Sequence, residues 1–250
     1  MTLDEIKAAI KQKPYHEEAA GLIYCADCLE ILPQIPDKAI DLVLTDPPYG
    51  INGKGKSNEI ELLHKGDVVE FCNDWDGESM PLEWISHITD KLNVNGALLC
   101  FCSQQHRQIL RDEMENNRLR FKSIFYWVKH HGGLNPRNNF VSRIEESQFF
   151  VKGKAWSWNG GGSCCNYFIE NFCELNCPAN NYHPTQKPTR LISHLLKTIS
   201  NINDLVLDPF LGSGTTAVAA KQLGRKFIGI EISQKYCDIA VQRLQQEVLL

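Results

Sequence analysis

Several protein classes are excluded by what this sequence lacks. No run among its 250 residues approaches the roughly 20 apolar residues of a membrane-spanning helix. The opening Met1-Thr2-Leu3-Asp4-Glu5-Ile6-Lys7 has no apolar core of the signal-peptide type. A cytoplasmic protein is the expectation, and its ten cysteines are read as reduced thiols rather than a disulfide framework. There is no internal repeat and no second segment with a core of its own. Basic excess is also missing: the net charge is −4 and the pI about 6.1, which on its own argues against a nucleic-acid partner.

What is present is an ordinary globular composition, 43% hydrophobic and 22% charged, at a length that supports one sizeable core. The charge is unevenly spread. Eight Lys/Arg lie between Arg118 and Lys154 against Glu145 and Glu146, a net of +6 on a body of −10. A concentrated basic stretch on an acidic body is the footprint of a phosphate-contacting face.

Apolar runs alternate with helical patterns. Leu3, Ile6 and Ile10 at helical spacing predict a short helix over residues 3–12. Strands are expected at Leu22–Cys25, Ile40–Thr45, Ala97–Cys102, Phe121–Val128, Ser147–Lys152, Leu205–Leu207 and Phe227–Ile230. Helices are expected at Pro81–Leu92, Gln104–Asn117, Thr189–Ser200, Thr215–Leu223 and Gln234–Gln246, with Gly224 closing the fourth and Ser233 capping the last. This pattern predicts a single α/β domain over residues 1–250: a doubly wound, mostly parallel seven-stranded sheet. Phe121–Val128 and Ser147–Lys152 have no helix between them, so they should pair antiparallel. Their Gly-, Asn- and Arg-rich connection is too long for a turn, which marks it as a functional loop.

Asp46-Pro47-Pro48-Tyr49 follows a buried apolar strand directly, at the strand end where open parallel sheets bind ligands. Two prolines stiffen the segment and remove two backbone donors while leaving carbonyls to accept. A carboxylate, an acceptor carbonyl and an aromatic ring on one stiff tetrapeptide suit a planar, amino-substituted heterocycle. A second constellation, Asp208-Pro209-Phe210-Leu211-Gly212-Ser213-Gly214-Thr215-Thr216, joins a strand to a helix. Its glycines allow close backbone approach at a helix N-terminus, where free N–H groups await an acceptor. No Gly-Lys-Ser/Thr follows, so this is not a phosphate loop of the Walker type. Glu231 ends the next strand, where a carboxylate can take the two hydroxyls of a ribose.

Together these motifs resemble the S-adenosylmethionine-dependent amino-methyltransferases of DNA. Because the tetrapeptide precedes the glycine-rich loop, the order resembles the circularly permuted β-class of bacterial and phage modification enzymes. The resemblance extends through Tyr24-Cys25-Ala26-Asp27-Cys28-Leu29, His183-Pro184-Thr185-Gln186-Lys187-Pro188 and Phe227-Ile228-Gly229-Ile230-Glu231. Members of the class often carry Gly where this chain has Ala26.

The resemblance implies a fold, a cofactor and roles. The fold is the Rossmann-like methyltransferase sheet with one antiparallel strand. Asp46, Pro47, Pro48 and Tyr49 would be catalytic, acting on the N6 amine of a flipped adenine. S-adenosylmethionine would be held by Asp208, Phe210, Gly212, Ser213, Gly214 and Thr215, by Glu231 at its ribose and Asp27 at its adenine. Asp46 would border it, and Thr185 and Lys187 would close over its methionine end. No metal is expected. Loops 50–74 and 129–145 would contact double-stranded DNA through Lys54, Lys56, Lys129, Arg137 and Arg143, with 153–182 as an inserted target-recognition region. A homodimer and a cognate restriction endonuclease are further expected partners. Cytosine N4 is the rival substrate, though the permuted cytosine enzymes usually resemble Ser-Pro-Pro-Tyr. An RNA or protein-glutamine methyltransferase and a catalytically inactive DNA-binding module remain as alternatives. Cytosine C5 chemistry needs a nucleophilic cysteine, typically after proline, and no Pro-Cys occurs. Cys164, Cys165, Cys173 and Cys177 lack the usual paired spacing of a zinc knuckle, so they are read as free thiols.

Overall fold

A computed structural model describes residues 1–48, 81–129, 140, 143–170 and 186–246. Thr2 opens the first helix, α1 (Leu3–Ala9), with a capping box: its side chain accepts the Glu5 N–H while Glu5 accepts the Thr2 N–H at 2.7 Å. Next along the chain come β1 (His16–Glu18), β2 (Gly21–Cys25), α2 (Cys28–Ile31) running into a 3₁₀ turn at Leu32–Gln34, β3 (Ile40–Thr45), α3 (Glu83–Lys91), β4 (Leu92–Cys102), α4 (Arg107–Asn116), β5 (Arg120–Val128), β6 (Ile144–Val151) and β7 (Tyr167–Ile169). The chain continues through α5 (Thr189–Ile199), β8 (Leu205–Asp208), α6 (Thr215–Gln222), β9 (Lys226–Glu231) and α7 (Gln234–Gln245).

All seven expected strands are present, and they sit side by side in one sheet of order β1-β2-β9-β8-β3-β4-β6-β5-β7. Among the described residues the sheet has nine strands rather than seven. β1 adds antiparallel to β2 at one edge, and β7 adds parallel to β5 at the other. Within the expected seven only β6 runs antiparallel, against both β4 and β5. The central parallel strands are largely buried on both faces, as in Ile40-Asp41-Leu42-Val43-Leu44-Thr45, because helices cover both sides. One cluster packs α1, α3 and α4 on the first face, through Ile6, Trp84, Ile88, Leu110 and Met114. The other packs α5, α6 and α7 on the opposite face, through Leu191, Leu195, Ala217, Ala220, Ala240 and Leu244. The architecture is the expected doubly wound α/β sandwich.

Two features of this sheet create a place for a ligand. β3 and β8 are neighbours, paired at Leu42–Val206 and Val43–Leu207. The helix after β3 lies on one face and the helix after β8 on the other, so a crevice opens at their carboxyl ends. The antiparallel direction of β6 matters too: it brings the start of that strand, not its end, to the crevice side. No helix among the described residues is long and apolar enough to cross a membrane.

Candidate active site

A cavity of about 450 Å³ occupies the crevice. At its centre stands Asp208, the buried last residue of β8. Its Oδ1 accepts the Thr45 hydroxyl at 2.8 Å and the Phe210 N–H at 3.1 Å, so it ties β3 to the loop that follows β8. Burial pushes its carboxyl up to about 6, against hydrogen bonds from Thr216, Thr45 and the Phe210 N–H.

The loop after Asp208 is shaped by glycine. Gly212 and Gly214 have φ of +54° and +84°, a region that costs other L-residues about 1–2 kcal/mol. A Cβ on Gly214 would lie 2.7 Å from the Ala240 Cβ of α7, so glycine also lets that helix pack close. A Cβ on Gly212 would meet nothing within 4 Å; this residue lines the open cavity. The loop is gripped from behind by Arg243 of α7, whose buried guanidinium donates to the Ser213 carbonyl at 2.7 Å and to the hydroxyls of Ser213 and Thr215. Ser213 in turn donates to the Gln186 side-chain oxygen at 3.1 Å.

Glu231 closes one end of the cavity. Its two oxygens accept the Gly212 and Ser233 N–H groups, both at 2.8 Å. Burial raises its pKa against these backbone donors. Asp27 lines the same end as the N-cap of α2, accepting the Leu29 N–H at 2.9 Å. Trp84 of α3 meets the Phe210 ring edge-on, at a centroid distance of 5.6 Å, as part of the cavity wall.

The other end is built from charges. Asp46, just past β3, is bonded to the ammonium of Lys187, which precedes α5. The same ammonium lies 3.2 Å from Glu145 Oε2, and Glu145 is paired in turn with Lys129. Burial works against a charge on Lys187, but Asp46 and Glu145 outweigh it and hold the lysine above its ordinary range. Burial likewise opposes ionisation of Glu145, and Lys187 and Lys129 outweigh it, holding the carboxyl below its ordinary value. Pro47 and Pro48 line the cavity beside Asp46 and offer no backbone donor.

The chain that builds this cavity has relatives. The DNA methylase family matches residues 40–242 of the chain, well over half of it. The chain belongs to the N6/N4 DNA methylase family. It is 27% identical to the Type II methyltransferase M2.LlaDCHI of Lactococcus lactis subsp. cremoris, over 98% of each chain. The crystal structure of M1.HpyAVI in complex with SAM superposes at a TM-score of 0.69 with 32% identity, covering 90% of this chain and 100% of that one. The PvuII DNA methyltransferase, described as cytosine-N4-specific, shares the fold at a TM-score of 0.72 with 18% identity, over 96% of this chain and 92% of that one.

Within this methylase cavity, most expected site residues converge. Asp27, Asp46, Pro47, Pro48, Lys187, Asp208, Phe210, Gly212, Ser213, Thr215 and Glu231 all line it. Gly214 stands behind it as the left-handed N-cap of α6. Tyr49, Thr185, Lys54, Lys56 and Arg137 lie outside the described residues, as do Cys173 and Cys177. The structure gives two of the expected residues partners of their own and divides the basic stretch. Lys187 lines the cavity and in addition carries Asp46 and Glu145 on its ammonium, contacts that spacing could not reveal. Lys129, expected on the DNA, is paired with Glu145 and lies over the Trp127 ring at 4.6 Å, with only 11% of its side chain exposed. The basic stretch is not one face: Arg118, Arg120, Lys122, Lys152 and Lys154 fall at the amino end of the sheet, and only Lys129 and Arg143 of the described members reach the carboxyl end. Lys152 is engaged inside, donating to the Thr89 and Leu92 carbonyls at the end of α3.

Glu145, Trp84 and Gln186 are cavity residues that no sequence motif singled out as site residues. Gln186 could have been found, since it lies within the His183–Pro188 segment. Ser233 does precede α7 as expected, but its side chain makes no capping bond.

Proposed function

We propose that this chain is a site-specific DNA methyltransferase that transfers a methyl group from S-adenosylmethionine to the N6 amine of an adenine flipped out of double-stranded DNA. The observation that carries the reading is the two-ended cavity. A carboxylate on a proline-stiffened segment stands at one end, and a glycine loop with a backbone-anchored carboxylate stands at the other.

The residues fit the cofactor. Gly212 leaves open space where a side chain would intrude, and the first-turn N–H groups of α6 follow a left-handed glycine with no capping side chain. Each Glu231 oxygen, already accepting one N–H, retains capacity for a ribose hydroxyl. Asp27 is the acceptor for an adenine amine. Thr185 belongs to the same reading at the methionine end. When bound, S-adenosylmethionine supplies the electrophilic methyl group.

The chain's own contribution is positional. Asp46 and the Pro47 carbonyl accept the two N–H bonds of the target amine. That favours a pyramidal nitrogen with its lone pair directed along the cavity towards the Asp208 end. Asp46 is also the acceptor for the amine proton released as the nitrogen is alkylated. Such orientation supplies up to about 7–11 kcal/mol of barrier reduction for ideally placed partners. Tyr49, next along the segment, offers its ring as the stacking platform for the flipped base, worth about 1–3 kcal/mol.

Aspartate at residue 46 favours adenine over cytosine N4, and the tetrapeptide preceding the glycine loop supports membership of the permuted β-class. The Type II names of the relatives support a restriction-modification setting with a cognate endonuclease and duplex DNA as the substrate; a homodimer is part of the same proposal. Arg137, Arg143, Lys54 and Lys56 are the proposed phosphate contacts, and 153–182 the target-recognition region. The test is transfer of an isotopically labelled methyl group to unmethylated genomic DNA, followed by digestion to nucleosides. Label in N6-methyldeoxyadenosine is the expected result. Label in N4-methyldeoxycytidine would replace the substrate, and label on RNA or protein alone would replace the function.

A further inference from the structure

We infer that Glu145 is a positioning residue for methyl transfer, holding the Lys187 ammonium on the carboxylate of Asp46 and so fixing the orientation in which Asp46 meets the target amine. The inference rests on the reading of Asp46 as the amine acceptor and extends it to a residue outside every motif of the site.

The geometry is a row of alternating charges, Lys129, Glu145, Lys187 and Asp46, brought together from β5, β6, the approach to α5 and the end of β3. Lys187 is 7% exposed at its side chain and lies 5.0 Å above the Phe101 ring centroid. A buried ammonium with one carboxylate partner draws that carboxylate fully onto itself. With a second carboxylate oxygen 3.2 Å away, the ammonium is drawn between the two, and its place on Asp46 is set by the balance of both attractions. Glu145 therefore fixes where Lys187 stands, and Lys187 fixes how Asp46 is turned. Within the row, two cations are matched by two carboxylates. Deleting Glu145 alone removes the carboxylate that stands between the Lys129 and Lys187 ammonium groups, a change whose relief moves Lys187 and Asp46 together.

Glu145 can do this because β6 runs against its neighbours. It is paired with Trp127 near the end of β5, so the second residue of an antiparallel strand stands level with the last residues of the parallel ones. The adjacent Glu146 points elsewhere and is engaged by Arg107 of α4. A pair of neighbouring glutamates is thereby divided between a helix anchor and the reacting end of the cavity.

The decisive experiment compares the full-length wild type with E145Q, K187M, the double variant and E145D. Turnover on unmethylated genomic DNA and the equilibrium dissociation constant for S-adenosylmethionine are measured on each, with a thermal unfolding midpoint to establish folding. E145Q is expected to lower kcat about ten- to a hundredfold, the scale of an ångström-level misplacement, while cofactor affinity stays within about twofold. The double variant should be no slower than K187M, because Glu145 acts only through Lys187. E145D, which keeps the charge, should recover part of the loss and is the deciding variant should E145Q not fold. Wild-type turnover in E145Q, losses that multiply in the double variant, or E145D no better than E145Q would each overturn the inference. The D46N variant separates this from the parent reading: if D46N turns over normally, the role of Asp46 falls whatever Glu145 does.

Discussion

The two ends of the cavity are built by opposite means. At the Glu231 end, carboxylates are met by backbone N–H groups, as with Gly212 and Ser233 around Glu231 and Leu29 on Asp27. At the Asp46 end, side-chain charges meet side-chain charges from four separate segments. Backbone donors are fixed by the fold and tolerate a change of partner. A row of buried charges is fixed only by its own members, and losing one disturbs the rest. The first construction suits a ligand that binds and leaves in each cycle. The second suits an acceptor whose direction must be held within narrow limits.

The sharpest test of this contrast is Asp46→Asn. Loss of a positioned acceptor should reduce turnover by about a thousandfold while binding of S-adenosylmethionine survives. Parallel loss of both would erase the distinction between the ends. Asp208 stands between them and gives the next largest effect. Its pKa rises from 3.8 in the ordinary state to about 6 in the fold, so the folded protein holds the extra proton between those values. Stability should therefore fall as pH rises from about 4 to 6, by roughly 3 kcal/mol from this group. Asp208→Asn should remove that slope, and urea unfolding of both proteins across pH 4–7 checks it. Coincident slopes would mean that the Thr45, Thr216 and Phe210 donors compensate the burial in full.

At the backbone-built end the expected change is smaller and falls on binding. Glu231→Ala should weaken cofactor affinity by about 1.5–3 kcal/mol, the scale of hydrogen bonds to a charged group, with turnover at saturating cofactor little altered. Calorimetric titration reads the first quantity and initial rates the second; an unchanged affinity would return Glu231 to a purely structural place at the end of β9. The smallest effect separates the two ends of the sheet. Arg143→Ala, at the carboxyl end, should flatten the slope of log affinity for DNA against log salt by about one unit. Arg120→Ala, at the amino end, should leave that slope alone. Equal slopes in both variants would deny that the carboxyl end is the DNA face.

Legibility in the sequence followed the same division. Central strands such as β3, β8 and β9 were readable because burial on both faces makes them nearly continuous apolar runs, and β5 and β6 through apolar stretches such as residues 124–128 and 149–151. β1 and β7 were not: each has three residues, and His16-Glu17-Glu18 carries no apolar signal at all. α2 was hidden for a similar reason, being one turn after Asp27. The backbone-built end could be read because its parts are contiguous motifs. Glu145 could not, since its placement depends on the register of an antiparallel strand, and attention to strand ends passes over a strand's start. The basic stretch misled because charge was summed along the chain, whereas β5 and β6 carry its members to opposite ends of the sheet.

The hydrogen bond from Thr45 to Asp208 joins residues 163 positions apart. On a ribosome working at about 5–20 residues per second, the first partner precedes the second by roughly ten to thirty seconds. Throughout that interval β3 has no β8 beside it, and an edge with the sequence Leu42-Val43-Leu44 stands open to any other extended chain. Nascent methylase therefore passes through a period of exposure to misassociation before either end of its cavity exists. A holdase that covers this edge until residue 208 has emerged should raise the yield of active enzyme more than its specific activity.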